Sequence, residues 1–384
     1  MKISISVPGR FHAFELAREL QRHGVLHCLV TSQPAFKVTP FGIEKIYIKS
    51  IISKEIIVRG WKKLFGKYPN WFWINEWYDK MAAHALPMDS DIYILWAGFS
   101  LHTIKRIRKK NPKAKIILER GSTHIQFQYD ILVYAYNREL TMPPVLPSNN
   151  VIRKEIEEYT ATDFIAIPTS FVEKTFVEKG INIEKLFINP YGVDLSLFKK
   201  SEIKLLTSER LNILFVGLFS IQKGASVILE VINKFIDDER ITFSFVGGME
   251  KGLLDKLETH IINKKVFYQP SVPQNQLPKY YSKAEIFLFP SYQEGLAIVL
   301  LQAMASGLCV IASENSGAGM VIRDMENGII IPHNPEVIVN QIKHLIDDRE
   351  LLLRLRSNAR STIENGFTWV DYGNRAIKFY SQIV

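Results

Sequence analysis

The sequence predicts an α/β protein made of two doubly wound domains, each a mainly parallel sheet, with a cleft between them. Three observations lead there. Apolar runs of strand length alternate with amphipathic helical stretches along almost the whole chain. That alternation breaks into a turn near Tyr191-Gly192-Val193-Asp194, passes through the charged "FKKSEIK", and restarts at Asn212. Finally, 384 residues exceed what one ordinary core holds and fit two domains of about 190 each.

The elements justify this in order. Residues 2–7 read as a strand, Gly9 as a turn, and "AFELARELQRHG" as an amphipathic helix stopped by Gly24; the strand "LHCLVTS" follows. This βαβ opening implies parallel strands. Further strands are expected at 91–98, 115–120 and 163–170. After the break come a strand at 212–217, the Lys223-Gly224 turn and a helix at 225–235. The strand "ITFSFVGG", a helix to about residue 263, "KVFYQP" and a short helix near 277–282 lead to the strand "EIFLFP". Helices at 335–347 and 349–365 precede a closing segment. The expected domains are 1–195 and 196–365, with 366–384 packing back toward the first.

Composition narrows the class. Residues 1–200 hold 29 Lys and Arg against 19 Asp and Glu, whereas the rest of the chain is nearly balanced. A basic first half suits an anionic partner. Nucleic acid is not expected, because zinc-ligand spacing, RNP-like runs and Arg-rich tails are all missing. The two cysteines, Cys28 and Cys309, sit in apolar runs and read as buried free thiols. "MKISISVPGR" does not read as a signal peptide, and no window has the apolar length of a membrane span. The expected location is cytoplasmic. The segment 59–80 gathers Trp61, Trp71, Trp73 and Trp77 among five Lys and Arg, and 105–110 is "KRIRKK". Such composition suits peripheral contact with the inner face of a membrane; an aromatic core under a loop with solvated lysines is the structural alternative.

The most informative stretch is "PSYQEGLAIVLLQAMASGLCVIAS", residues 290–313. It reads as a strand end, a turn, a helix over about 296–306 that is apolar on every side and therefore buried, a Gly stop and a strand. Glu294 and Gln302 are its two polar exceptions. The first N–H groups of such a helix lack helical partners and form an anion site, and Gly295 leaves room for a phosphate. Eight residues along a helix place Glu294 and Gln302 about 12 Å apart, the scale of a nucleotide-sugar from sugar to ribose. Read as structure alone, the Glu favours the helix dipole and the Gln is met by backbone.

This stretch resembles the C-terminal signature of the GT-B glycosyltransferases, specifically the retaining family 4, in which a Glu, seven residues and a second Glu lie in a "PS…EG…EAMA.G.PVIAS" frame. Gln302 replaces the second Glu. "FVGLFSIQKG" looks like the family's phosphate turn, "LFINPYGVDLSLF" its inter-domain element, "GRFHAFELARELQRHG" its N-terminal Gly-rich turn and helix, and "IEEYTATDFIAIPTSFVEKTFVEKG" its "E…AD.I..PS.F" strand. Together they span nearly the whole chain.

The resemblance implies a GT-B fold, with an acceptor-binding first domain and a nucleotide-sugar-binding second domain. It puts Gly217, Lys223, Glu294, Gly295, Leu296, Ala297 and Gln302 at a UDP- or GDP-linked donor. Lys223 would meet the diphosphate, although a solvated loop lysine is the plain alternative. The family's second phosphate cation is replaced by Leu218. Gly9, His12 and Arg120 fall on the acceptor or phosphate side, His12 having a capping or packing role as its alternative. His124 matches a His that contacts the donor sugar, with Lys223 and Glu294 completing the catalytic set; a structural His is the other reading. No carboxylate is placed as a nucleophile, so the resemblance implies front-face transfer with retention. No acidic pair stands at a strand end, which implies metal independence and no cofactor beyond the co-substrate. The expected activity is transfer of a hexosyl-type sugar to a saccharide or lipid-linked saccharide in cell-surface polysaccharide or glycolipid synthesis. A non-catalytic nucleotide-sugar binder is the alternative that Gln302 and Leu218 keep open. A dinucleotide oxidoreductase is not expected, because "VPGRFH" and "VGGME" lack the required glycine spacing.

Overall fold

Strand β1 (Ile3–Val7), helix α1 (Ala13–Arg22) and strand β2 (Leu26–Thr31) open the chain as a parallel unit, and every residue of β1 is buried, as in a sheet covered on both faces. The computed structural model describes residues 1–138, 146–199 and 210–384. After α2 (Ala35–Val38) come β3 (Ile48–Ser50), α3 (Ser53–Phe65), α4 (Trp71–Ala85), β4 (Ile92–Trp96), α5 (Leu101–Lys110) and β5 (Lys115–Glu119). Then follow α6 (Ile125–Asn137), α7 (Asn149–Ala161), β6 (Phe164–Ile167), α8 (Ser170–Glu178) and β7 (Leu186–Ile188). These strands make one parallel sheet in the order β3-β2-β1-β4-β5-β6-β7.

The second sheet has the order β10-β9-β8-β11-β12-β13 and is also parallel. Its strands are β8 (Leu211–Val216), β9 (Ile241–Val246), β10 (Val266–Gln269), β11 (Ile286–Phe289), β12 (Cys309–Ser313) and β13 (Ile329–Ile331). The helices between and after them are α9 (Ala225–Lys234), α10 (Leu253–Ile262), α11 (Pro278–Tyr281), α12 (Ile298–Ala305), α13 (Pro335–Asp347), α14 (Arg349–Glu364) and α15 (Trp369–Ile383). The strands β3, β7 and β13 escape a reading by periodicity, since each is a three-residue sheet edge. Much of the expected linker falls on residues 200–209, outside the described set.

Helix α15 follows the second sheet in sequence but lies on α1 of the first domain. It starts at a capping box formed by Thr368 and Asp371. Arg375 then holds the crossover between domains, donating to Asn189 Oδ1 at 3.0 Å and to Pro190 O at 2.7 Å. Both cysteines are free and buried, and burial pushes their thiols up, to about 11 for Cys28 and about 12 for Cys309. Among the described residues no helix is long and apolar enough to cross a membrane.

Candidate active site

The two sheets meet at the carboxyl ends of their strands, where open α/β folds bind ligands. A cavity of about 560 Å³ lies there. The first domain lines it from the turns after β1 (Phe11, His12), β4 (Ala97 to Phe99) and β5 (Arg120 to Ser122), and from α4 and α7. The second lines it with Lys223, Glu294 and Leu296 to Val299.

Lys223 stands in the turn after β8. The backbone fold of that turn requires glycine: Gly224 has φ of +79°, and a Cβ there would meet Pro290 O at 2.1 Å. The Lys223 ammonium pairs with Glu294 Oε1 and lies 5.2 Å from the centre of the Phe289 ring. Glu294 is carried by the loop after β11, and its own N–H donates to Asn315 O at 2.8 Å. Cation and carboxylate therefore form a half-buried pair at one end of the cavity. Gly217, at φ of +136°, lies behind Lys223 and turns the chain out of β8, off the cavity wall.

Helix α12 is shorter than expected. It begins at Ile298, with Ala297 as an extended N-cap whose side chain caps nothing, and residues 294–297 are loop. The helical arithmetic that spaced Glu294 from Gln302 thus applies only from Ile298 onward. Ile298 and Val299 are half-buried on the cavity wall, whereas residues 300–305 are buried. Gln302 is among these: its Oε1 accepts from Tyr281 OH at 3.0 Å, and it lines a second cavity of about 340 Å³ with Arg10, Glu15 and Asp194. Phe11, Ile298 and Val299 belong to both cavities and divide them. The room that Gly295 leaves is filled from the opposite domain. A Cβ on Gly295 would lie 2.1 Å from Gly121 O, and Thr169 Oγ1 donates to Gly295 O at 3.0 Å.

On the first domain, His12 is buried against Tyr191 (4.5 Å between ring centres) and Trp96 (5.1 Å). Its Nε2 lies 3.1 Å from Glu119 Oε2, and Tyr372 OH from α15 donates to the other Glu119 oxygen at 3.4 Å. Arg120 is held in place by Gln128 Oε1 at 2.7 Å and by Glu155, 3.2 Å from its Nε. Gly9 stands off the wall, its carbonyl accepting from Thr31. The left-handed backbone of that turn falls on Phe11 instead, at φ of +42°.

His124 is not brought into the cavity. It is the N-cap of α6, with Nδ1 accepting from Gln126 N at 3.2 Å and its ring packed 5.1 Å from both Tyr159 and Phe176. Burial, with Arg120 nearby, lowers its pKa to about 4, so the ring is neutral. The side chain serves as an acceptor at the helix start, which a strand-then-His pattern does not reveal.

Two further wall residues, Glu119 and Lys154, were not expected from the sequence. Glu119 ends an apolar strand, and a buried carboxylate at the carboxyl end of β5 is the clue that could have marked it. Lys154 lines the wall from α7 and pairs with Glu76 and with Asp79, at 3.1 Å in the latter case. Glu76, Asp79 and His102 bring three donor atoms within 4.8 Å of one another. The cation that answers those carboxylates is the Lys154 ammonium itself.

Two facing parallel α/β domains, with the site between the carboxyl ends of their sheets, define the GT-B class. The family model described as glycosyl transferases group 1 matches residues 198–362, which include every strand of the second sheet. The chain is 28% identical over 243 residues to the D-inositol 3-phosphate glycosyltransferase of Streptomyces bingchenggensis. That alignment covers 58% of this chain and 53% of the relative, so the chain spans about half the length of that curated relative. An uncharacterized glycosyltransferase of Methanocaldococcus jannaschii is 26% identical over 330 residues, covering 82% of this chain and 79% of its own. Among solved structures, Anabaena HepE in complex with UDP and glucose superposes with a TM-score of 0.69 over 99% of both chains, at 14% identity. That likeness shows the fold. The chain thus has the GT-B fold, and its C-terminal domain is similar to glycosyl transferases group 1.

Proposed function

We propose that this chain moves a sugar, with retention at the anomeric carbon, from a nucleoside-diphosphate donor to a saccharide or lipid-linked saccharide acceptor. The observation that carries this reading is the Lys223–Glu294 pair, set beside the uncapped start of α12 and facing His12 and Arg120 across the cavity. The Lys223 ammonium and the first N–H groups of α12 neutralise the departing diphosphate as charge develops on it. Glu294 accepts from sugar hydroxyls. With the N–H groups and Lys223 holding the leaving group, its phosphate oxygen takes the acceptor proton on the same face. Gln302, which borders the second cavity and whose Oε1 is held by Tyr281 OH, would meet the ribose through the rest of its amide. Anabaena HepE, whose structure holds UDP and glucose, supports the donor class. Transfer proceeds without a divalent metal, since Lys223 and the helix end supply the positive charge. The basic first domain makes peripheral contact with a membrane that carries the acceptor.

The test is a thermal-shift panel of UDP, GDP, ADP, CMP and NAD with and without chelator, followed by turnover of the matching nucleotide-sugar. A nucleoside diphosphate that raises the melting temperature equally in chelator, together with an α-linked product from an α-linked donor, is the expected outcome. A shift with NAD alone sinks the reading. Tight nucleotide binding without turnover on any acceptor would establish a non-catalytic binder.

A further inference from the structure

The aromatic-basic segment and the "KRIRKK" run are separate in sequence, but the fold joins them, because α4 packs along α5. A groove of about 360 Å³ runs between these helices. Its walls hold Lys80, Lys105, Arg106, Lys109 and Lys110, with no carboxylate among the lining residues. On α5 the spacing sets Lys105 over Lys109 and Arg106 over Lys110, like-charge pairs four residues apart that weaken a helix. A merely solvated face would interleave acidic partners; residues 101–113 contain none. Arg106 Nε is buried there with no hydrogen-bond partner.

The N-terminal end of α4 and the helix before it carry the opposite anomaly. Helix α3 buries only Lys54 and Val58. Ile56 is 65% exposed, Leu64 79%, Phe65 57% and Trp73 68%. Residues 56–75 also include Arg59, Lys62, Lys63 and Lys67 and no carboxylate. A large apolar surface with tryptophan and lysine, and without acids, matches the boundary between lipid headgroups and acyl chains. Trp73, Trp77, Lys80 and His84 follow one face of α4. Lys80 lies about 10 Å along the axis from Trp73, comparable to the ~5–10 Å to which interfacial helices sink.

We propose that α3, α4 and α5 form one docking face for an anionic lipid bilayer, with lipid phosphates seated in the α4–α5 groove and the α3–α4 tip inserted below them. The proposal rests on the membrane-contact part of the function proposed above and gives it a chemistry and an orientation. Phe72, between the exposed Trp71 and Trp73, lines the catalytic cavity. Docking by this end of α4 would therefore hold the cavity close to the lipid, within reach of the sugar of a lipid-linked acceptor.

Sedimentation of the full chain with vesicles tests this without relying on turnover. Wild type should bind vesicles of phosphatidylcholine mixed with phosphatidylglycerol at least about tenfold more tightly than phosphatidylcholine alone, with the difference shrinking in salt. A tip variant (Leu64→Ser, Phe65→Ser and Trp73→Ser) and a groove variant (Lys105→Glu and Lys109→Glu) should each lose about tenfold of that binding or more, while keeping the wild-type melting temperature. Equal binding by wild type and groove variant, or by the two vesicle types, overturns the proposal. So does full competition by inorganic phosphate, which would mark a free-phosphate site, or a dimer in solution that the tip variant abolishes. Vesicle binding that survives while no nucleotide shifts the melt leaves docking standing and removes the donor reading; the converse removes docking alone.

Discussion

Glu294 reaches the cavity already paired with Lys223, so the two side chains act as a unit rather than as independent contacts. Lys223→Ala should lower transfer by about a hundredfold, the usual cost of one lost donor to developing negative charge. Its effect on the melting temperature should be far smaller, which a turnover assay beside a melt would show. Gly295→Ala is a steric experiment. A methyl group there meets Gly121 O, so the domains cannot close; transfer should fall steeply while each domain stays folded, as read by turnover against circular dichroism. His124 makes a pH prediction. Its native pKa, lowered to about 4 by burial, lies below the ordinary 6.5 of an unfolded chain. The unfolded state therefore binds the extra proton first as pH falls, and stability present above pH 6.5 is lost between 6.5 and about 4. His124→Asn keeps a capping acceptor and removes the titration, so its melting temperature should fall less over that window.

At the scale of elements, α15 binds the second domain's C-terminus to the first. Gly373 lies inside this helix, where Ala would ordinarily add about 1 kcal/mol of helix stability. Here a Cβ would lie 2.5 Å from Glu19 Cβ on α1. Overpacking of about 1–3 kcal/mol should outweigh the propensity gain. Gly373→Ala should then shift the urea midpoint downward; an upward shift would mean that α1 and α15 separate easily. Helix α12 illustrates the converse economy of sequence. Its apolar faces are buried as expected, but its first turn is delayed to Ile298 because the backbone of 294–297 is committed to the loop contacts with Asn315 and Ser316.

Across the whole molecule, a few polar contacts span the cleft. Tyr136 OH donates to Glu250 Oε1 at 2.5 Å, Gln293 donates to Ser122, and Thr169 donates to Gly295 O. Glu250 also accepts from Ile221 N at 2.9 Å, next to the Lys223 turn, so closure and the phosphate turn share a residue. Tyr136→Phe removes one cross-domain bond, typically worth about 1 kcal/mol. The closed population should fall accordingly, raising the apparent donor KM by up to about fivefold with kcat nearly unchanged. A drop in kcat alone would place Tyr136 in the chemistry instead.

The sequence by itself determined that both domains are built on parallel strands, which segments form the long ones, and the turns that carry Lys223 and Glu294. These rest on local signals: apolar runs, helix periodicity and glycine stops act within a dozen residues. It could not show that the His124 ring packs on Tyr159 and Phe176, nor that Glu119 ties His12 to Tyr372 of α15, because those partners are distant in the chain. Nor could it show that the room at Gly295 is taken by Gly121, a contact that exists only when two domains face each other. The same holds for the basic groove, whose two walls are separated in sequence and meet only because the apolar sides of α4 and α5 must be buried together. Composition and period decide which segments form; burial of their apolar faces decides which side chains become neighbours.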